Sequence, residues 1–243
     1  MNLILTMAGK YERFKLFGNK VPKYLMPLGK TTVLWHVLYE LLRFNSELKV
    51  YLLANDTDRD FQPVIKSIMD DFSINLECLS FVLDTKSQLE TALSISSQFE
   101  TNFTKSNLPL AFTNIDTIMK RRSGFFGKLS KLEKKQGLID SFIGSSHEYS
   151  YLLHNNNGEV IQIADGSRLS DYACSGLYGF SSGEFFCFEA KELLEKQTDG
   201  NFTSLYQALV KKGFTIQSYN NLDSRDTLVL GTPEEYISNI HRF

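Results

Sequence analysis

Apolar residues in the first half of the chain fall into two kinds of spacing, and the two kinds alternate. Residues 3–7 form a short apolar run closed by Ala8-Gly9, the pattern of a buried strand ending in a turn. Leu34, Val37, Leu38, Leu41 and Leu42 then recur at i, i+3, i+4, i+7 and i+8. They follow Thr31 and Thr32, whose hydroxyls suit an N-cap, so a helix with one apolar face is expected. Residues 49–54 predict the next strand, and Phe61, Val64, Ile65, Ile68, Met69 and Phe72 a second helical stripe. A strand over 78–83, a short helix carrying Leu89, Ala92, Leu93 and Ile95 after Ser87, and a strand over 108–115 complete the series.

Strands separated by helices of this length imply βαβ units, hence parallel pairing with right-handed crossovers and helices on both faces. The expected fold class is a three-layer, Rossmann-like α/β fold with a mixed, mostly parallel sheet. In such sheets ligands gather at the carboxyl ends of the strands. Attention therefore goes to residues 8–14, 55–58, 84–88 and 114–116. The second half changes character. Strands are expected over 138–144, Ser150–His154 and 160–164, the last two joined by Asn155-Asn156-Asn157-Gly158, where Asn-Gly tolerates positive φ. A strand over 177–180, a helix over Phe202–Lys211, a strand over 215–220 and a closing helix from Pro233 follow. This half is expected to be an α+β elaboration sharing the first sheet.

The chain has 243 residues, suited to one large domain, and no repeat or Pro/Gly-rich linker marks a boundary. At 42% hydrophobic and 22% charged residues, disorder is excluded. No apolar run approaches the roughly 18 residues of a membrane span. The first residues carry no basic stretch or cleavage site, so no secretory signal is expected. Cys78, Cys174 and Cys187 match no C-x-x-C spacing, which points to reduced, buried thiols in a cytoplasm. The Asn-x-Thr triplets at Asn55, Asn102 and Asn201 are then coincidental. A net charge of −2 gives no general attraction to nucleic acid. One stretch is locally basic: Lys120, Arg121, Arg122, Lys128, Lys131, Lys134 and Lys135 against Glu133, expected as a solvated helix face, with attraction of a polyphosphate or an acidic partner as the alternative.

No G-x-G-x-x-G, Walker A, H-E-x-x-H or cysteine–histidine zinc pattern occurs, and His36, His147, His154 and His241 are scattered. Gly179-Phe180-Ser181-Ser182-Gly183 matches G-x-S-x-G, with Asp226 and His241 following in hydrolase order. That motif requires a helix immediately after it. The segment Glu184-Phe185-Phe186-Cys187-Phe188 does not read as one, so a hydrolase is set aside.

The chemistry concentrates in the first 30 residues. After Met7-Ala8-Gly9 comes the polar loop Lys10-Tyr11-Glu12-Arg13-Phe14-Lys15, then Val21-Pro22-Lys23-Tyr24-Leu25-Met26-Pro27-Leu28-Gly29. A loop after the first strand can aim backbone N–H groups at a phosphate chain, and Arg13 and Lys23 would bring two positive charges to the same anion. This arrangement resembles the sugar-phosphate nucleotidyltransferase (pyrophosphorylase) family, whose hallmark is a Gly-rich M/L-A-G-x-G-x-R-F loop followed by P-K-P/Y-L. The resemblance extends along almost the whole chain. It takes in Phe112-Thr113-Asn114-Ile115-Asp116, then Ser146-His147-x-Tyr149-Ser150-Tyr151, then Leu169-Ser170-Asp171-Tyr172-Ala173 running on to Gly176-Leu177-Tyr178-Gly179-Phe180. The late segment 200–213 and Gly231-Thr232-Pro233-Glu234-Glu235-Tyr236 follow. The subgroup it most resembles is the nucleotidyltransferases of bacterial capsule-biosynthesis loci.

The resemblance implies a nucleotide-diphospho-sugar transferase, GT-A-like fold, with a nucleotide-binding half at about 1–120 and an acceptor half at about 136–243. It implies transfer of NMP from an NTP, with CTP preferred, to a sugar phosphate or other small phosphorylated metabolite, with pyrophosphate released. Arg13 and Lys23 would be catalytic. Ala8, Gly9, Lys10, Gln88 and Asn114 would bind nucleotide, and Asp116 would hold Mg²⁺. Tyr149, Ser150, Tyr151, Asp165 and Gly176 would line the acceptor pocket. Neither nucleic acid nor a membrane is an expected partner, and the sequence leaves room for a homo-oligomer.

Four positions depart from the pattern. Tyr11 and Ser87 stand where glycines are usual. Asp165-Gly166 stands where an acceptor-binding Glu-Lys pair is usual, leaving Arg168 as a substitute. Val229 stands where some relatives carry a second metal aspartate, with Asp226 the nearest acid. Two alternatives therefore stay open: a nucleotide-binding relative that has lost turnover, and a GT-A glycosyltransferase, for which Asn114-Ile115-Asp116 is half of a D-x-D motif.

Overall fold

The computed structural model describes residues 1–196 and 200–243. The first half runs β1 (Asn2–Met7), α1 (Glu12–Leu16), β2 (Pro27–Leu28), β3 (Thr31–Thr32), α2 (Val33–Leu42), β4 (Lys49–Asn55), α3 (Gln62–Asp71), β5 (Leu79–Val82), α4 (Gln88–Leu93), α5 (Ile95–Gln98), β6 (Leu110–Asn114), β7 (Thr117–Met119) and α6 (Ser123–Leu129). The second runs β8 (Gly137–Ile143), β9 (Ser150–His154), β10 (Val160–Asp165), β11 (Tyr172–Phe180), α7 (Gly183–Lys196), α8 (Phe202–Lys211), β12 (Ile216–Asn221), β13 (Thr227–Val229) and α9 (Pro233–Asn239).

Among the described residues nine strands form one sheet. Its main path is β10-β9-β11-β6-β1-β4-β5, while β8 pairs with both β11 and β12. Strands β6, β1, β4 and β5 run parallel, so Met7, Asn55, Val82 and Asn114 end on one edge. Strand β11 enters antiparallel to β6, and the second half thereby shares the first sheet. Alternation along β1 and β4 explains the uninterrupted apolar runs. Leu3, Leu5, Met7, Val50, Leu52 and Ala54 pack into one core under α2 and α3. Ile4, Tyr51 and Leu53 pack into the other, with α4, α7 and α8. A strand buried on both faces has no polar side to show. Thr32 caps α2 by accepting from Trp35 N, as its position promised. No helix among the described residues is long and apolar enough to cross a membrane.

Two expectations fail here. Residues 184–188 are helical, within α7. This helix buries Phe185, Phe186 and Cys187 together, so no polar stripe betrays it in the sequence. Ser181 therefore does lie between a strand and a helix. Yet its backbone is outside the left-handed region, and its Oγ accepts from Gln136 N at 3.3 Å. It also lies at the wrong edge of the sheet, since neighbouring Phe180 pairs with Leu110, the start of β6. Asp226 faces Arg121 at 3.7 Å. The second failure is Arg122, which is not on a solvated face but fully buried. Its Nε lies 2.8 Å from Asp140 Oδ1, and its other nitrogens donate to Lys120 O and Thr227 Oγ1 at 2.6 Å.

Candidate active site

The loop leaving β1 turns sharply because Tyr11 adopts φ 54°, the left-handed region that glycine enters most readily. Phe14 then anchors the short helix α1 in the core. Lys23, on the 3-10 turn Lys23–Leu25, comes up beneath this loop and is only 7% exposed. Its Nζ donates to Asp116 Oδ2 at 3.0 Å and Gly231 O at 2.9 Å, and it sits 4.9 Å from the centre of the Phe14 ring. The loop, Lys23, the start of α4 and the residues after β6 enclose a cleft of about 640 Å³. Ala8, Gly9, Lys10, Arg13, Lys23, Gln88, Asn114 and Asp116 all line it. Three of the four post-strand segments singled out in the sequence thus meet in one place.

Three cations of the cleft are each paired with an acid. Lys10 meets Asp84 at 3.0 Å, Lys23 meets Asp116, and Arg13 reaches Glu148 of the second half at 2.8 Å. Asn55 braces the loop from below, its Nδ2 donating to Ala8 O and to Asp84 Oδ1, both at 3.1 Å. Tyr11, where a glycine is usual, itself lines the cleft. Its hydroxyl turns back to Met7 O and to Asp58. Ser87 is extended and caps α4 by accepting from Glu90 N at 3.2 Å, so no glycine is needed there. Gln88 is more constrained than a base reader would be. Its Nε2 donates to Asn114 Oδ1 at 2.7 Å, and its Oε1 accepts from Phe202 N at 3.3 Å.

A second pocket of about 300 Å³ adjoins the first and shares Arg13, Asn114, Asp116 and Gly231 with it. Tyr149, Ser150 and Gly176 line it as expected. Tyr151 does not: the strand's two-residue period turns it into a small core with Phe142 and Ala173, its hydroxyl on Ser146 O at 2.8 Å. Asp165 lies one bond behind the wall, accepting from Ser150 Oγ and, at 3.1 Å, from Asn201 Nδ2. Gly166 has φ +64°, so a lysine there would be strained. Arg168 is no substitute for it, being held outside the pocket by Asp171 at 2.5 Å. Val229 does face the pocket, so an aspartate at that position would have reached it, whereas Asp226 is buried elsewhere.

Sequence reasoning missed two acids of this pocket, Glu148 and Glu235. Glu148 is the unassigned position of the Ser146-His147-x-Tyr149 segment. Glu235 completes a capping box with Thr232, and its Oε1 accepts from Tyr149 OH at 2.8 Å; the T-x-x-E spacing was its only signal. Burial, with Glu235 next to it, pushes the Tyr149 phenol up, so it stays a neutral donor. Gly176 has φ +91°, and an added Cβ would lie 2.7 Å from Asn114 Nδ2. Gly176→Ala is expected to lower stability by about 1–3 kcal/mol through backbone strain. Denaturant melts check this, and an unchanged midpoint would mean the bulge relaxes freely.

No family model and no curated protein matches the chain. Solved structures do. A nucleoside-diphosphate-sugar pyrophosphorylase from Vibrio cholerae RC9 superposes with a TM-score of 0.80 at 19% identity, over 99% of this chain and 100% of that one. The inositol-1-phosphate CTP transferase of T. maritima gives 0.75 at 12% identity, over 99% and 94%. A UDP-glucose pyrophosphorylase complexed with UDP-glucose gives 0.73 at 15%, over 99% and 97%. The likeness is one of fold, and it spans the chain from end to end.

Proposed function

We propose that this protein transfers a nucleoside monophosphate from an NTP to a small phosphorylated metabolite and releases pyrophosphate. One observation carries the reading: Arg13, Lys23 and Asp116, from three distant segments, line a single cleft that opens into a second pocket through Arg13 and Asp116. A phosphate oxygen of the acceptor attacks the α-phosphorus, and the bond to the pyrophosphate oxygen breaks. Such a reaction needs positioning and charge neutralisation more than covalent participation. The N–H groups of Gly9 and Lys10 hold the phosphate chain. Arg13 exchanges its carboxylate partner for phosphate oxygens, while Lys23 stays beside Asp116 and faces the phosphates from there. The nucleotide-binding half at about 1–120 and the acceptor half at about 136–243 then meet at Arg13 and Glu148.

Asp116 is the residue that would hold Mg²⁺. Its carboxylate is 31% exposed toward the cleft. Among the described residues no group of three metal-ligating side chains converges. A single carboxylate suits Mg²⁺, which is commonly held by one or two carboxylates together with substrate phosphates and water. When bound, the ion neutralises phosphate charge. Asp116→Asn is expected to abolish Mg²⁺-dependent pyrophosphate release while leaving the thermal melt near that of wild type. Retained Mg²⁺ dependence would remove Asp116 from this role, and an unfolded variant would make it structural.

The acceptor pocket sets one guanidinium, Arg13, against Asp116, Glu148 and Glu235. That charge balance suits one phosphate on the acceptor, with hydroxyl or ammonium donors at its other end. The test is a screen of four NTPs with Mg²⁺ against sugar 1-phosphates, inositol phosphate and amino-alcohol phosphates, read by pyrophosphate release. CTP leads the panel because the capsule-locus resemblance favours it and one structural neighbour is a CTP transferase. A role in cytoplasmic synthesis of capsule or surface polysaccharide precursors follows from the same resemblance. Val229, in place of a second acid, favours one other reading, a relative that binds nucleotide without turnover. NTP binding with no pyrophosphate release from any pair would establish that reading instead.

A further inference from the structure

Lys10, Arg13 and Lys23 ride on two separate segments, and one buried carboxylate joins these segments. Tyr11 stands between Lys10 and Arg13, and Tyr24 directly follows Lys23. Both hydroxyls reach the same oxygen, Asp58 Oδ2, at 3.2 and 3.0 Å. The two rings meet edge to face with centroids 6.0 Å apart. Asp58 belongs to the 3-10 segment Asp56–Phe61 that leaves β4, and it is 7% exposed. The Tyr11 hydroxyl also reaches Met7 O, closing the loop back onto the end of β1.

We propose that Asp58 is a positioning residue that, through Tyr11 and Tyr24, holds the phosphate-facing loop and Lys23 at a fixed separation. The proposal rests on the reading of the cleft as a nucleotide site. A carboxylate suits the task because one oxygen can accept from two hydroxyls. The conformation at position 11 supports it. A glycine enters the left-handed region freely, but a tyrosine does so only where its surroundings over-determine it. Here the side chain itself supplies the restraint, so Tyr11 fixes a loop that a glycine would merely permit. Separation matters because a misplacement of about 1 Å at a phosphate-binding group can lower turnover on the order of 10²-fold. Asn55, from the same strand end, braces the loop at a second point through Ala8 O and Asp84.

The test compares wild type with Tyr11→Phe, Asp58→Ala and the double variant, with Asp56→Asn as control. Asp56 lies in the same segment but pairs outward with Arg59 at 2.5 Å. Three quantities are measured: affinity for Mg²⁺–CTP and for inorganic triphosphate, hydrogen exchange over residues 8–16 and 20–26, and KM against kcat. Both single variants are expected to weaken binding about 10- to 100-fold and to raise KM for the nucleotide. Exchange should speed up in both segments at once. The double variant should lose little more than either single one, since both remove the same link. The control should match wild type. A folded Tyr11→Phe with wild-type affinity overturns the proposal, even if its melting point falls, because the link would then be structural only. Faster exchange in one segment alone also overturns it. If Asp58→Ala fails to fold, Tyr11→Phe decides. Wild type that binds neither CTP nor any other NTP sinks the nucleotide reading itself, and the positioning claim with it.

Discussion

Replacing Lys23 by alanine is expected to lower kcat/KM for pyrophosphate release by on the order of 10²-fold or more, a loss of about 3 kcal/mol in transition-state stabilisation. The size follows from how the ammonium is held. It is 7% exposed, fixed between Asp116 Oδ2 and Gly231 O, and backed by the Phe14 ring. A charge pinned in a buried position acts more strongly than one on a solvated chain, and it needs no reorganisation when negative charge develops on the phosphates. Two effects must be separated, because the variant also leaves Asp116 without its counter-charge. Mg²⁺ titration of the variant does so: a raised Mg²⁺ requirement reports on Asp116, whereas a fall in rate at saturating Mg²⁺ reports on the lost ammonium. Lys23→Arg is not a neutral control, since its planar fork must enter a slot shaped for a compact group. Wild-type turnover in Lys23→Ala would remove this residue from the mechanism.

In the resting cleft Lys23 and Arg13 are neutralised from opposite sides, by Asp116 and Glu148. The two pairs differ in kind. Lys23 is enclosed, whereas the Arg13 and Glu148 side chains are 62% and 50% exposed, so water screens their attraction and the pair opens at little expense. An incoming triphosphate would therefore capture Arg13 readily, while Lys23 stays where it is. Glu148 is then left facing the acceptor pocket as a free carboxylate.

What the sequence disclosed and what it hid divide along physical lines. Strands buried on both faces and helices with one apolar stripe are local patterns, and β1, α2, β4 and α8 could be placed from them. The segment Phe202–Lys211 was placed to the residue, and the structure adds the Asn201 cap that the sequence reading did not use. Helix α7 was lost because Phe185, Phe186 and Cys187 all go inward, and a run of aromatics looks strand-like when no polar face interrupts it. The first-strand loop and Lys23 could be marked from their own chemistry, and Asp116 only through the family resemblance. The acids that complete the arrangement could not. Glu148 answers Arg13 across 135 residues, and Asp58 binds Tyr11 across 47. No local pattern reports such pairings. The same holds for Tyr151 and Ser150, neighbours in sequence whose side chains part at the strand's pleat.

Arg122→Met is expected to destabilise the fold by about 3–5 kcal/mol near pH 8, the cost of leaving one member of a buried ion pair alone. Arg122 and Asp140 are both fully buried and 2.8 Å apart. Burial pushes the Asp140 carboxyl up to about 6 even with the guanidinium beside it. The sign of the pH effect follows. Because the folded value lies above the ordinary carboxylate value, the folded chain holds this proton more tightly than the unfolded chain. The resulting stability is fully present below about pH 4 and is lost as pH rises through about 6. Without Arg122 the carboxyl rises further, so the variant's deficit should shrink as pH falls from 8 to 5 and Asp140 becomes neutral. Asp140→Asn should behave differently, since it strands a guanidinium that cannot give up its proton and removes the titrating carboxyl, so its deficit should not shrink but grow somewhat as pH falls from 8 to 5. Denaturant unfolding of both variants at pH 5 and 8 distinguishes them. A pH-independent loss in Arg122→Met would mean that Asp140 carries no charge in the fold. The consequence reaches the acceptor pocket as well. Asp140 lies on β8, where pairing with β11 slips between Cys174 and Tyr178, and its carbonyl receives the Ser175 hydroxyl at 3.5 Å. The buried pair therefore stands directly behind the bulge that presents Gly176 to Asn114, so loosening it should disturb acceptor binding before it disturbs the nucleotide loop.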